Sequence, residues 1–580
     1  MAANERYEEK VHEADVEENE TRLGSSPNGI DIEDRVAHIH AKTVILVFSV
    51  YLAYLAGGYN IVVAGAYGRD IGIELGGESQ STWLVQIVTI IIAVLSPPIS
   101  EAADLWGRKW FLVTLTALGV VGCVITGAAS SMAMALGGQV LSGIACSSQP
   151  LVHAIPSEVI PRRYRAIAQA GVNISIALAA VIVLLAGGAL TRNGNHAGFR
   201  VLFYINAGLF GIGAVAVAVL YNPPLRELQT AYTQRQKLAR LDWIGIALLS
   251  GGLTLFCMAL VWSQNPYSWK DVHILAPFVI GCVLLLALGA YETKGRKDGM
   301  FHHELFKRGR NFSLSIVCIF VEGLVFFAVN NYFAFEVSTL YEHDSLYVSL
   351  RFSICFFTFA VSTALTGLYC TWTKAVRFPV LVGFGFFTIF MVVMSTAKVG
   401  SSAAVWGYTV FFGSGLGILL NTLMTAAQLG TPPDLIASAS GLMISTRSVG
   451  GSIALAIYNA IFTHTLSSNL NSRVPAAVLP LGLPPSSIGL FIGAMTSGQT
   501  DGLTQIPGVT SEVIGTGGNA VLQSFVIAFR YVWITGASFS FVAMIAAWFL
   551  LDTKKEFNTH IDAPAETEQA LYGEKVQPRA

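Results

Sequence analysis

Glu322 and Arg447 are ionisable residues set inside long apolar stretches, Phe312 to Phe333 and Ile436 to Phe462. A charge at the centre of a bilayer costs roughly 2.5–3.5 kcal/mol on insertion scales, so a side chain kept there has a partner or a task. A carboxyl in such a place can bind and release a proton as its access to water changes, which makes Glu322 the candidate for proton coupling. A protonated Glu hydrogen-bonded to a neighbouring helix is the structural alternative. Arg447, in Ser445-Thr446-Arg447-Ser448-Val449-Gly450-Gly451, is a gate candidate that either pairs with a carboxylate or snorkels to the interface. Asn330, Asn331 and Tyr332 follow Glu322 on the same stretch, and Tyr59, Asn60, Asn173 and Asn421 lie on others. All seven are candidates for a cavity wall, and each is also suited to an interhelical hydrogen bond.

No His, Cys and Asp group has metal-ligand spacing, and no G-x-x-x-x-G-K-[ST] loop is present. The chain therefore reads as non-enzymatic, without cofactor or metal, and work done by it would draw on an ion gradient or a solute gradient. The 580 residues are 53% hydrophobic and 12% charged, with mean hydropathy +0.59. That exceeds what a soluble core buries and implies an all-α polytopic membrane protein. Formal net charge is -1, which offers no nucleic-acid partner. The seven cysteines sit in or beside apolar segments as small hydrophobes, with no disulfide expected.

A spanning helix needs roughly 20 apolar residues. Fourteen segments qualify. Six are Thr43 to Ala64, Thr82 to Ser100, Phe111 to Ala129, Met132 to His153, Ala166 to Leu190 and Val201 to Leu220. Two more are Ile244 to Val261 and Ile274 to Ala290. The last six are Phe312 to Phe333, Tyr347 to Leu368, Phe378 to Met394, Ala404 to Met424, Ile436 to Phe462 and Val532 to Leu551. The expected division is an acidic, disordered tail at 1–42, a six-helix bundle at 43–221, basic linkers with two extra helices at 222–311, a second six-helix bundle at 312–551, and a tail at 552–580. The connection 463–531, rich in Pro, Gly, Ser and Thr, is expected to hold little regular structure, with Ile488 to Met495 dipping into the interface.

Lys and Arg concentrate in the even-numbered connections, beginning with Arg108 and Lys109 and then Arg162, Arg163 and Arg165. Short loops that keep such charge stay cytoplasmic, so both termini are expected there. The turn Asp104-Leu105-Trp106-Gly107-Arg108-Lys109 joins the second and third spans. Gly107 permits a tight bend, Arg108 and Lys109 hold the anionic face, and Asp104 can pair with a neighbouring helix and favour one of two bundle arrangements.

This hexapeptide resembles the D-x-x-G-R-K/R signature of the major facilitator superfamily, in which two six-helix halves are related by a pseudo-repeat. Thr371-Trp372-Thr373-Lys374-Ala375-Val376-Arg377 stands where the second copy falls, without its glycine and aspartate. The six, two, six order, with Phe203-Tyr204-Ile205-Asn206 and Leu241-Asp242-Trp243, resembles the fourteen-helix drug:proton antiporters. Ile155-Pro156-Ser157-Glu158-Val159-Ile160-Pro161-Arg162-Arg163-Tyr164-Arg165 and Arg530-Tyr531-Val532-Trp533 are similar to the fungal trichothecene efflux pumps, to which siderophore transporters are related. Gln139 stands where the antiporters usually carry arginine, and their G-P-x-x-G-G pattern survives only as Gly187-Gly188.

The resemblance implies a secondary active transporter that rocks two halves about a central cavity, taking protons, a small-molecule substrate and the lipid bilayer as partners. Proton-coupled export of an amphipathic metabolite, toxin or drug is the leading expectation, from a monomer in the plasma membrane or the vacuolar membrane. Siderophore-iron uptake on the same scaffold is the alternative, and a non-transporting membrane sensor is the rival from another class.

Overall fold

The computed structural model describes residues 41–223, 227–262, 269–295, 299–307, 309–497, 503 and 505–562, and every regular element among them is helical. The expected tail 1–42 therefore lies almost entirely outside the described residues. Thirteen helices among them are long and apolar enough to cross a bilayer. The first are α1 (Ala41–Ala66), α2 (Trp83–Trp106) and α3 (Arg108–Gly127). The fourth expected span is instead two consecutive helices, α4 (Met132–Cys146) and α5 (Gln149–Val159), each too short to cross alone. Ser147 and Ser148 mark the break, their hydroxyls bonding back to the Gly143 and Ala145 carbonyls at 3.0 and 2.8 Å. Pro150 then removes a backbone donor from the first turn of α5.

The chain continues through α6 (Arg165–Leu190), α7 (Phe199–Leu220), α8 (Trp243–Trp262), α9 (Val272–Ala290), α10 (Arg310–Leu340), α11 (Ser345–Thr373), α12 (Arg377–Ser395) and α13 (Ser402–Leu429). It ends with α14 (Ile436–Val478), α15 (Ile488–Ser497) and α16 (Ser511–Ala547). The expectation of an irregular connection at 463–531 is corrected here, because α14 runs on for 43 residues and α16 begins at Ser511. Composition hid a helical period. Leu470, Val474 and Val478 bury one face of α14 at four-residue spacing, as Val513, Gly517 and Val521 do on α16. At about 1.5 Å per residue both helices outreach a hydrocarbon core about 30 Å thick. The short α15 packs Phe491 against Gly517, where an added Cβ would stand 2.6 Å from the ring.

Helices α1 to α7 pack among themselves, as do α10 to α14 with α16, and the two groups meet along α2–α14 and α6–α11. Small residues let α6 and α11 approach: a Cβ on Gly188 would lie 2.8 Å from that of Ser349, and one on Gly367 3.0 Å from that of Ala170. The pair α8 and α9 leans on the seam through α8, whose Leu249, Leu253 and Cys257 cluster with Ile90, Ala93 and Val94. Val279, Val283 and Leu286 of α9 stay exposed, the apolar outer face of a helix that meets lipid.

Candidate functional site

The basic turn is built as a junction. Gly107 holds φ at +93°, a conformation that side chains resist, and lets α2 end and α3 begin within one residue. Arg108 then starts α3 inside the bundle, where its guanidinium pairs with Asp104 at 2.7 Å and with Glu158 of α5. The second oxygen of Asp104 accepts from Ser438 of α14 at 3.2 Å, so one carboxylate ties both helix groups together. Lys109 reaches Asn222 at 2.5 Å.

A buried polar clasp closes the same end. Gln428 of α13 accepts from Ser157 of α5 at 2.7 Å and from Gln169 of α6 at 3.1 Å, and donates to the His153 carbonyl at 3.2 Å and to Ser440 at 2.9 Å. Arg165 donates to the carbonyls of Ser157 and Gln428 at 2.9 and 3.0 Å. His153 is buried between Tyr54 at 3.1 Å and Gln169 at 2.7 Å.

Beyond α16 the segment 553–562 crosses this closed end as a strap. Arg162 and Arg163 give their backbone N–H groups to the carbonyls of His560 and Asn558 at 2.9 and 2.8 Å. Asp562 pairs with Arg162 at 2.7 Å and with Arg165, and Glu556 accepts from Arg162 at 3.1 Å. Phe557, 1% exposed, sits among Val376, Ala426 and Leu429 of the other helix group. The expected tail at 552–580 is in its described part a bridge between the helix groups. Partial burial, with Arg162 and Arg165 close by, holds the His560 imidazole below its usual range.

Midway along the bundle Glu322 of α10 and Arg447 of α14 meet, Nε to Oε2 at 2.6 Å and Nη2 to Oε1 at 3.0 Å. Phe326 carries the guanidinium on its face, 4.6 Å from the ring centroid. The helices touch here, since a Cβ on Gly323 would strike the Arg447 carbonyl and one on Gly450 the Phe320 carbonyl. The two ionisable residues singled out from separate stretches are thus one bidentate pair.

At the end opposite Arg108 lies a cavity of about 790 Å³, lined by Arg69, Glu78, Asn331, Tyr332, Phe335 and Phe462 among others. A smaller one of about 250 Å³ adjoins it and shares Arg69, Asn331 and Phe335. Beside them the helix groups are tied by Tyr67 to Ser349 at 2.9 Å, Thr191 to Ser345 at 2.8 Å, and Arg192 to Asp344 at 2.6 Å. The Arg192 guanidinium holds the Asp344 carboxyl below the usual carboxylate range.

Of the seven expected wall residues, Asn331 and Tyr332 line the larger cavity. Asn60 instead joins a cluster within the first helix group, donating to Gln139 at 3.0 Å. Tyr59, Asn173, Asn330 and Asn421 line neither cavity, and each buries a polar atom with no partner among the described residues. Asn421 also donates to the Thr363 carbonyl at 3.4 Å.

Two residues escaped sequence reasoning. Glu336 of α10, 2% exposed, accepts from Trp533 at 2.6 Å and from Tyr341 at 3.4 Å. A second carboxylate in the apolar run after Glu322 was the available signal. Arg69 stood as one more loop charge, and nothing in its neighbourhood of sequence aims it at a cavity.

Two groups of membrane-length helices, clasped at one end and holding a cavity at the other, define the class of helical membrane transporters. The Major Facilitator Superfamily model matches residues 46–455, and the chain belongs to that superfamily. Efflux pump FUS6 of Gibberella fujikuroi is 24% identical over 512 residues, spanning 86% of this chain and 87% of that protein. Trichothecene efflux pump TRI12 of Fusarium sporotrichioides is 20% identical over 535 residues, spanning 90% and 88%. The solved proton:xylose symporter XylE shares the fold with a TM-score of 0.51 at 12% identity, covering 92% of this chain and 99% of that one.

Proposed function

We propose that the chain is a secondary active transporter that exports a small amphipathic metabolite, toxin or drug by alternating access, driven by protons. The observation that carries this reading is the asymmetry of the seam between the helix groups. The Arg108 end is sealed by the Gln428 clasp and the strap, while the Arg69 end holds the cavity. Tipping the groups about the α6–α11 and α2–α14 contacts would exchange the two ends. The unpartnered polar atoms of Tyr59, Asn173, Asn330 and Asn421 support a path, since burying such atoms costs about 1–3 kcal/mol each unless another state solvates them.

The proton site in this reading is the Glu322–Arg447 pair. A proton on Glu322 would remove the charge that holds Arg447 and free α10 from α14. The names of the relatives support export. The broken fourth segment, α4 with α5, counts as one crossing, giving fourteen in a six, two, six order. The basic Arg108 end faces the cytoplasm and the protein works as a monomer, in the plasma membrane or the vacuolar membrane.

Flux in proteoliposomes with an imposed pH gradient tests the reading. Uptake of an amphipathic dye against its gradient is expected, and Glu322→Gln should uncouple that uptake from pH. A wild-type protein that binds dyes yet moves none would be a sensor. Accumulation of a ferric siderophore along the proton gradient would make it an importer.

A further inference from the structure

Among the described residues Arg69 makes no hydrogen bond or ion pair, although it is a guanidinium with five N–H donors. Arg108, Arg162, Arg165, Arg192, Arg351 and Arg447, by contrast, each meet a carboxylate. Arg69 lies instead with Cζ 3.5 Å from the centroid of the Phe335 ring. It borders both cavities together with Phe335 and Asn331, so one cation on one aromatic ring stands at the partition between them. Stacking leaves the edge of the guanidinium, which carries the donors, turned to the cavity space.

We infer that the chamber is built for amphipathic acids: a carboxylate, or an equally acidic enolate, docks on Arg69 while the apolar body of the solute lies against Phe335 and Phe462. This rests on reading the cavity as the substrate chamber. Phe335 and Phe462 stand edge to face at 5.5 Å and form a continuous aromatic wall. Asn331 shares the partition and offers an amide donor to a second acceptor oxygen. The anion has local rivals. Asp70 is engaged by His196 at 2.8 Å. Glu78 is exposed on the turn Glu78–Gln80 and lines the larger cavity, yet forms no ion pair with Arg69. Glu78 sets a threshold, in that an entering acid must compete with it for the guanidinium.

The test uses the full chain in nanodiscs and two radiolabelled probes of one shape, 1-naphthylacetate and its neutral amide 1-naphthylacetamide. Wild type should bind the acid about tenfold more tightly or better, the margin of a charge-assisted bidentate contact. Arg69→Gln should erase the preference without weakening the amide, Arg69→Lys should keep part of it, and Glu78→Gln should raise it. Equal binding of acid and amide by wild type overturns the inference, and so does an Arg69→Gln protein that loses both probes alike, which would mark Arg69 as packing only. Proteoliposome flux of the amide separates the two layers. Amide flux without acid preference defeats the acid site alone, whereas a wild-type protein that moves neither probe defeats the transport reading as well.

Discussion

Glu322 and Arg447, 125 positions apart and on different helices, form a two-point ion pair of 2.6 and 3.0 Å inside the membrane-spanning body. Glu322 is 0% exposed and Arg447 8%. Desolvation offsets much of the attraction in such a pair, so its presence says more about switching than about stability.

Removing one partner leaves a bare buried charge. Glu322→Gln should therefore destabilise the protein by about 3–5 kcal/mol, whereas Glu322→Leu with Arg447→Met should recover most of that loss. Thermal unfolding in detergent measures both. The double variant should bind substrate and carry none of the wild-type pH dependence. If the single and double variants melt alike, the pair is not the buried unit described.

The strap should favour the closed Arg108 end. A chain stopped after Asp552, or Phe557→Ala, should expose the seam there, since Phe557 and Asp562 are the contacts that span both helix groups. Ala437→Cys, in a Cys282→Ser background, reports this, because Ala437 is fully buried against Ala154 and Ile436. Several-fold faster labelling by a membrane-impermeant maleimide is expected. An unchanged rate would reduce the strap to a passive tail.

Docking of the strap should weaken in acid. The docked His560 imidazole is held below its usual range by partial burial and then by Arg162 and Arg165. Asp562 stands 3.7 Å away. A base lowered on docking keeps its full contribution above the free value, about 6.5, and loses it as pH falls through that value. Labelling of Ala437→Cys, divided at each pH by the rate of the same cysteine in a chain stopped after Asp552 to cancel the thiol's own titration, should therefore rise between pH 7.5 and 5.5, about a unit either side of that midpoint, and His560→Ala should flatten the response. A ratio that stays flat across that window contradicts the assignment.

Gly107→Ala should cost about 1–3 kcal/mol, because a Cβ is strained at φ +93°. Gln229 would also crowd that Cβ, at 2.6 Å. Adding Gln229→Ala should not rescue the melting temperature, since the strain belongs to the backbone. Rescue would show that crowding alone selects glycine.

What the sequence revealed was what depends on one helix at a time. Hydropathy placed the spans, and the Asp104–Lys109 turn announced its own bend and charge. Glu322 and Arg447 were each conspicuous because a charge stands out among apolar neighbours, but their pairing depends on which faces of α10 and α14 meet. The Gln428 clasp and the strap were hidden for the same reason, being contacts between residues that look ordinary in their own segments. Ser147 and Ser148 broke the fourth span through local bonds that hydropathy averages away. The extensions of α14 and α16 were missed because Ser, Thr and Gly content masked a buried stripe as thin as one residue in four.

Reciprocal motion of the two ends is the most direct test. Spin labels on Trp110 and Thr373 would report the Arg108 end, and labels on Asn195 and His343 the Arg69 end, all four sites being exposed. Pulsed dipolar distances in nanodiscs, taken at two pH values and with an amphipathic substrate, should show two populations in which one end lengthens as the other shortens. A single fixed distance at each end, or two ends that widen together, would contradict alternating access.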